Sequence, residues 1–184
     1  DYRYAEDKIY NYFCYIAGAR YAFIDKKIYV YRRNEQSVSN TYRKDGDKDW
    51  MRIAQDLQDK IDSLNYEKKQ YSQDEIENYE SIVAWTIYFA AFFDGKMEYE
   101  YSTGKIRAVI NLLKRYASYD LTKKYLKNPL RYTKKIPALS YKIMLGGFAF
   151  LMKCNMYVLL SLGIKLLVDC HIDERLSDTG RKED

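Results

Sequence analysis

From Asp7 onward, apolar residues fall at Ile9, Tyr12, Phe13, Ile16 and Ala17. Spacings of this kind lay one stripe along a 3.6-residue helix, and Gly18 is placed to end it. Tyr21 to Ile24 is an aromatic-rich run, Asp25-Lys26-Lys27 a polar break, and Ile28 to Arg33 a run of β-branched and aromatic residues. That pattern predicts two short strands. The helical period then returns: Trp50, Ile53, Ala54, Leu57, Ile61 and Leu64 keep one face apolar over 47–64, with a charged face opposite. Ser72 and Glu75 form a capping box before a second helix, which carries Ile76, Tyr79, Ile82 and Val83. It turns apolar on all sides through TIYFAAFF, which should be buried, and Asp94-Gly95 is where the pattern ends it. A third helix, 104–118, carries Ile106, Val109, Ile110, Leu113 and Tyr116. Short connections make these antiparallel neighbours in a small bundle. Core packing explains its stripes and a solvated face its exposed charges, so it receives no chemistry.

The last third differs in kind. Pro137 is suited to begin a helix, and the chain then runs apolar to Cys170, interrupted by Lys142, Lys153 and Lys165. No stretch reaches the roughly eighteen charge-free residues of a spanning helix. Two helices with broad apolar faces, joined near residues 153–155, fit instead. Two readings stay open: they complete the bundle core, or they lie in the plane of a membrane. In the second, Lys124, Lys127, Arg131, Lys134 and Lys135 would face anionic headgroups. Residues 173–184 are polar and without period, the pattern of a disordered tail.

Composition narrows the function. A formal charge of +5 with scattered basic residues gives no stripe for a phosphate backbone, so nucleic acid is not a partner. The 21 tyrosines bury a ring while keeping a hydroxyl wet, so an unusually aromatic surface is expected. Cys14, Cys154 and Cys170 lack metal-ligand spacing; reduced, buried thiols and a reducing compartment are expected. The single histidine, His171, sits at the end of the last apolar run, a poor place for a triad or metal site. Gly146-Gly147 lacks the P-loop pattern. Asp45-Gly46-Asp47 imitates an Asp-x-Asp metal motif but comes after no apolar strand, and reads as loop and N-cap.

Candidate chemistry lies in the first forty residues. Glu6 and Asp7 occupy the first turn of the first helix, where free N–H groups and the helix dipole favour ionised carboxylates. Such residues are ordinarily structural, yet an ionised carboxylate can accept a proton. The next thirty or so residues raise the interest, because the strand ends lead to Arg32, Arg33, Ser37, Ser39 and Asn40.

The pair Glu6-Asp7, the helix, and then IDKKIYVYRRNEQSVSN resemble the end of the catalytic domain of family 2 glycosyltransferases. These are inverting, nucleotide-sugar-dependent enzymes of the GT-A fold, many of which build bacterial surface polysaccharides. The likeness covers residues 1 to about 42 and rests on the order and spacing of its pieces. It implies that the acidic pair supplies the general base, Asp7 in that role with Glu6 orienting or binding the acceptor. It also matches Tyr29, Tyr31 and Arg32 to a Tyr-x-Tyr-Arg strand and Ser37 and Ser39 to a Ser-x-Ser loop. Arg32 or Arg33 would pair with diphosphate or acceptor, or else with Asp25 or Glu35 at a strand end; Ser37, Ser39 and Asn40 would hydrogen-bond sugar hydroxyls.

The donor-binding half that such an enzyme needs, with its Asp-x-Asp and divalent metal (Mg or Mn), is not in this sequence, and no metal is expected on the chain itself. The expectation is therefore a C-terminal portion, inactive alone, working with a nucleotide-sugar donor and a saccharide or lipid-linked acceptor. It would be cytoplasmic and peripheral on the inner face of the cell membrane. The expected class is mainly α with an α+β start: residues 1–45 as the two-strand end of a GT-A catalytic domain, 46–135 as helical bundle, 136–172 as apolar helical pair and 173–184 as tail. The alternative is a non-catalytic helical interaction or membrane-docking module.

Overall fold

A computed structural model describes residues 6–17, 42–66 and 71–170. Among them, eight helices succeed one another: α1 (Glu6–Ile16), α2 (Gly46–Tyr66), α3 (Gln73–Tyr101), α4 (Lys105–Ser118), α5 (Asp120–Leu126), α6 (Pro129–Thr133), α7 (Leu139–Lys153) and α8 (Tyr157–Asp169). The chain is mainly helical, as expected. The strands expected at 21–24 and 28–33 and the tail expected at 173–184 lie outside the described residues.

The periodic stripes become buried faces. Ile53, Ala54, Leu57, Ile61 and Leu64 of α2 are buried, as are Val109, Leu112, Leu113 and Tyr116 of α4, and both helices pack on α3. At the start of α3, Ser72 Oγ accepts from the Glu75 N–H (3.2 Å) while the Ser72 N–H donates to Glu75 Oε2 (2.8 Å). Two orphan donors are thereby satisfied at once.

α3 does not stop at Asp94-Gly95 but continues to Tyr101. Gly95 is needed for proximity rather than termination: a Cβ there would meet Ile164 Cδ1 of α8 at 2.9 Å. α8 therefore lies close on α3 at this point. Asp94 turns inward, its Oδ2 accepting from Tyr116 Oη at 2.5 Å.

α5 and α6 carry no legible period and were not expected. Short helices leave their last carbonyls without intrahelical partners, and aromatic donors from α3 reach them. Tyr88 Oη donates to the Tyr125 carbonyl and Trp85 Nε1 to the Tyr132 carbonyl, each at 2.9 Å. Tyr125 Oη donates in turn to Gln58 Oε1 of α2. Tyrosines thus serve the interior as well as the surface. Tyr88, Tyr116 and Tyr125 are fully buried with their hydroxyls bonded inside, whereas Tyr10, Tyr101 and Tyr141 are exposed.

The charges on the first half of α3 are not simply a solvated face. Asp74 pairs with Lys135 (2.6 Å), Glu77 with Arg131 and Lys134 (3.4 and 3.2 Å), and Glu80 with Lys124 (3.5 Å). Four of the five cations that the membrane reading would place at headgroups pair with α3 and hold the segment around α5 and α6 against it.

α7 and α8 form the expected helical pair. Asn155 takes the left-handed conformation between them (φ 58°). The Met156 N–H donates to the Leu151 carbonyl and the Asn155 N–H to the Met152 carbonyl, both at 3.0 Å, closing α7 with a Schellman turn. The thiols are not buried as expected: Cys154 and Cys170, each just past a helix end, are exposed, and Cys14 is half-buried. Among the described residues, no helix is long and apolar enough to cross a membrane.

Two glycines in opposite surroundings give a paired test. Gly95→Val should force Ile164 and the packing around it to shift and cost about 1–3 kcal/mol. Gly163→Ala, with nothing within 4 Å of the added Cβ, should gain up to about 1 kcal/mol from helix propensity. Thermal unfolding followed by circular dichroism at the helix band measures both.

Candidate functional site at the entry to the bundle

α1 runs alongside α2 in the same direction. Ile9 and Tyr12 line one cleft with Trp50 and Ile53, and Phe13 and Ala17 line another with Asp56, Lys60 and Ser63. The first turn of α1, which Glu6 opens, therefore lies at the end of the bundle where α2 begins. The backbone agrees with a helix starting at the acidic pair. The side chains of Glu6 and Asp7 lie outside the described residues, as do Arg32, Arg33, Ser37, Ser39 and Asn40.

At that same end three carboxylates converge, one from α2 and two from successive turns of α3. Asp47, in the first turn of α2, is 1% exposed. The Arg115 guanidinium donates to it at 3.1 and 3.4 Å, Tyr119 Oη at 3.0 Å, and Arg115 also reaches the Lys44 carbonyl at 3.3 Å. A helix N-terminus favours the carboxylate, and the arginine fork neutralises it. The hydrogen bond that Arg115 donates to Asp47 in turn holds the Arg115 pKa above its ordinary value. Asp45-Gly46-Asp47 is thus more than loop and N-cap: its second aspartate clamps the entry of α2 to the end of α4.

Asp94 is the second carboxylate. Burial pushes its pKa up to about 7, with nearby Asp47 and Glu98 adding to the rise and hydrogen bonds from Tyr116 and Trp50 opposing it. Gly46 abuts it: a Cβ there would lie 3.2 Å from Asp94 Oδ2. Glu98, the third, accepts from Tyr42 Oη at 2.9 Å, and the Tyr42 ring stacks on Tyr101. Burial first, then the partner carboxylate, raises Tyr42 and Tyr119 to about 12. Both phenols stay protonated donors at neutral pH.

A cleft of about 220 Å³ lies next to this cluster, walled by Ile9, Tyr12, Trp85 and Phe89 among others. Trp50 belongs to both, with its ring on the cleft and a hydrogen bond to Asp94. The arrangement fixes Tyr42 and the start of α2, and it holds a proton on Asp94 near neutrality. Asp47 is committed to Arg115 and Tyr119, and no group of three His, Cys, Asp or Glu among the described residues could hold a metal ion.

The cluster was not legible as a unit, because its members come from α2, α3, α4 and the loops beside them. One signal was available: Asp94 comes directly after the apolar run TIYFAAFF, where a lone carboxylate has to be buried or bonded. Comparison with family models, curated proteins and solved structures returned no match.

A raised carboxylate pKa has a definite sign in stability. Between the ordinary value of 3.8 and about 7, the folded state holds a proton that the unfolded state has lost. Asp94 therefore contributes a loss of stability as pH rises through that window, and a plateau above it. Asp94→Asn, which can still accept from Tyr116, should remove this component and raise the unfolding midpoint more at about pH 8 than at about pH 4. Chemical denaturation across that range measures it.

Proposed function

We propose that this chain is the acceptor-side, C-terminal part of a nucleotide-sugar-dependent inverting glycosyltransferase of family 2, acting in surface polysaccharide synthesis. One observation carries the reading: within forty residues the sequence orders Glu6-Asp7, an amphipathic helix and IYVYRRNEQSVSN. Two structural facts are in keeping with it. The helix opens at Glu6, so both carboxylates belong to a first turn that favours their ionised form. The chain on either side of residues 18–41 is held on the bundle, through Ile9 and Ile16 before and Tyr42 and Asp47 after.

The reaction is a single displacement. Asp7 takes the proton of an acceptor hydroxyl as that oxygen attacks the anomeric carbon of the donor sugar. A new C–O bond forms as the bond to the nucleotide diphosphate breaks; the diphosphate leaves with the electron pair, and the anomeric centre inverts. Glu6 orients the acceptor. Arg32 or Arg33 supplies a guanidinium fork to phosphate or acceptor oxygens, and Ser37, Ser39 and Asn40 hydrogen-bond sugar hydroxyls. The divalent metal of such enzymes belongs in this reading to the donor half. The described residues do not fit one, and no step here runs through it.

In the full-length enzyme, Asp7→Asn should lower kcat by about 10²–10⁴-fold while donor affinity, read by calorimetry, stays near wild type. Turnover within a few-fold of wild type would move the base elsewhere.

A further inference from the structure

α7 and α8 are built the wrong way round for surface helices in water. Each buries one apolar face: Leu145, Phe148, Ala149 and Met152 on α7, Leu160 and Ile164 on α8. The opposite faces should then be polar. Instead, at the helical period, the outward stripe of α7 reads Leu139, Ile143 and Phe150, and that of α8 reads Val158, Leu162 and Leu166. These six are 47–68% exposed. An exposed apolar surface of this extent marks an interaction site.

The surrounding charges decide what covers it. On the helical period, Lys142 and Lys153 share one edge of the α7 stripe, and Lys153 Nζ donates to the Lys127 carbonyl at 2.8 Å, which places Lys127 on the same edge. The neighbouring cations Lys124, Arg131, Lys134 and Lys135 are already paired with α3, and Lys165 of α8 with Asp169. The carboxylate in line with the stripe is Asp169, one turn beyond Leu166, and it is paired with Lys165. A second copy seated on it by a two-fold axis running across the helices would bring this one-signed edge against itself, which electrostatics disfavours. An anionic lipid surface complements both features, the stripe entering the acyl boundary and the lysines meeting phosphates. At 15 and 13 residues the helices are too short to span a bilayer but suited to lie along one.

We propose that the α7–α8 hairpin seats the chain on an anionic bilayer, with Leu139, Ile143, Phe150, Val158, Leu162 and Leu166 inserted and Lys127, Lys142 and Lys153 on the headgroups. Docking stands independently of the glycosyltransferase reading, since transfer to a soluble acceptor reports the one and vesicle binding the other.

The test is flotation of the full chain with vesicles of phosphatidylcholine alone or with about a third phosphatidylglycerol. Binding should require the anionic lipid and weaken with salt. Ile143→Asp with Leu162→Asp should reduce it by at least about tenfold, and Lys142→Gln and Lys153→Gln by about fivefold each. All four side chains are removed from the core, so helix content and unfolding midpoint should stay near wild type, read on the same samples. Absence of flotation, or wild-type flotation by the Asp variant, overturns the proposal. So does light scattering that shows a dimer dissociated by the Asp variant while lipid binding is unchanged, because the face would then belong to a second copy.

Discussion

The structure depends on burying α3. Its middle stretch, Val83 to Ala91, is apolar on nearly every side, and no single partner can cover a helix all round. α2, α4, α6, α7 and α8 each take part of its surface. The polar atoms carried inward with it must then find partners. Trp85 and Tyr88 do so on the terminal carbonyls of α6 and α5, and this gives two helices too short to stand alone a fixed place in the bundle.

The same burial makes the chemistry at the other end of the helix. Asp94 continues the apolar run without a break, so it is desolvated, and Tyr116, Trp50 and the close approach of Gly46 confine it. Asp47 beside it is bonded to Arg115 and Tyr119, whereas burial pushes the pKa of Asp94 up to about 7. The cluster sits at the start of α2, where Tyr42 and Asp47 are fixed to the bundle by Glu98, Arg115 and Tyr119.

Much of this was legible from periodicity. α1, α2 and α4 begin and end within a few residues of the limits their stripes indicate, and the turn at Asn155 falls where the two apolar helices were expected to join. Gly95 misled because a glycine after a carboxylate resembles a helix stop; its real requirement, the approach of Ile164, comes from a residue far along the chain. α5 and α6 escaped because short helices held by side-chain hydrogen bonds leave no period to read. In the candidate site, the acidic pair at a helix start was visible locally. The Asp47–Arg115–Tyr119 clamp was not, since only the packed bundle brings residues 68 and 72 positions apart together.

The central claim is that the acidic pair of α1 serves an inverting displacement. Its most direct measurement is the anomeric configuration of the product made by the full-length enzyme, read by proton NMR. A glycosidic bond opposite in configuration to the donor sugar is the result this account predicts. A product that keeps the donor configuration would contradict it, because a single displacement assisted by Asp7 cannot give retention.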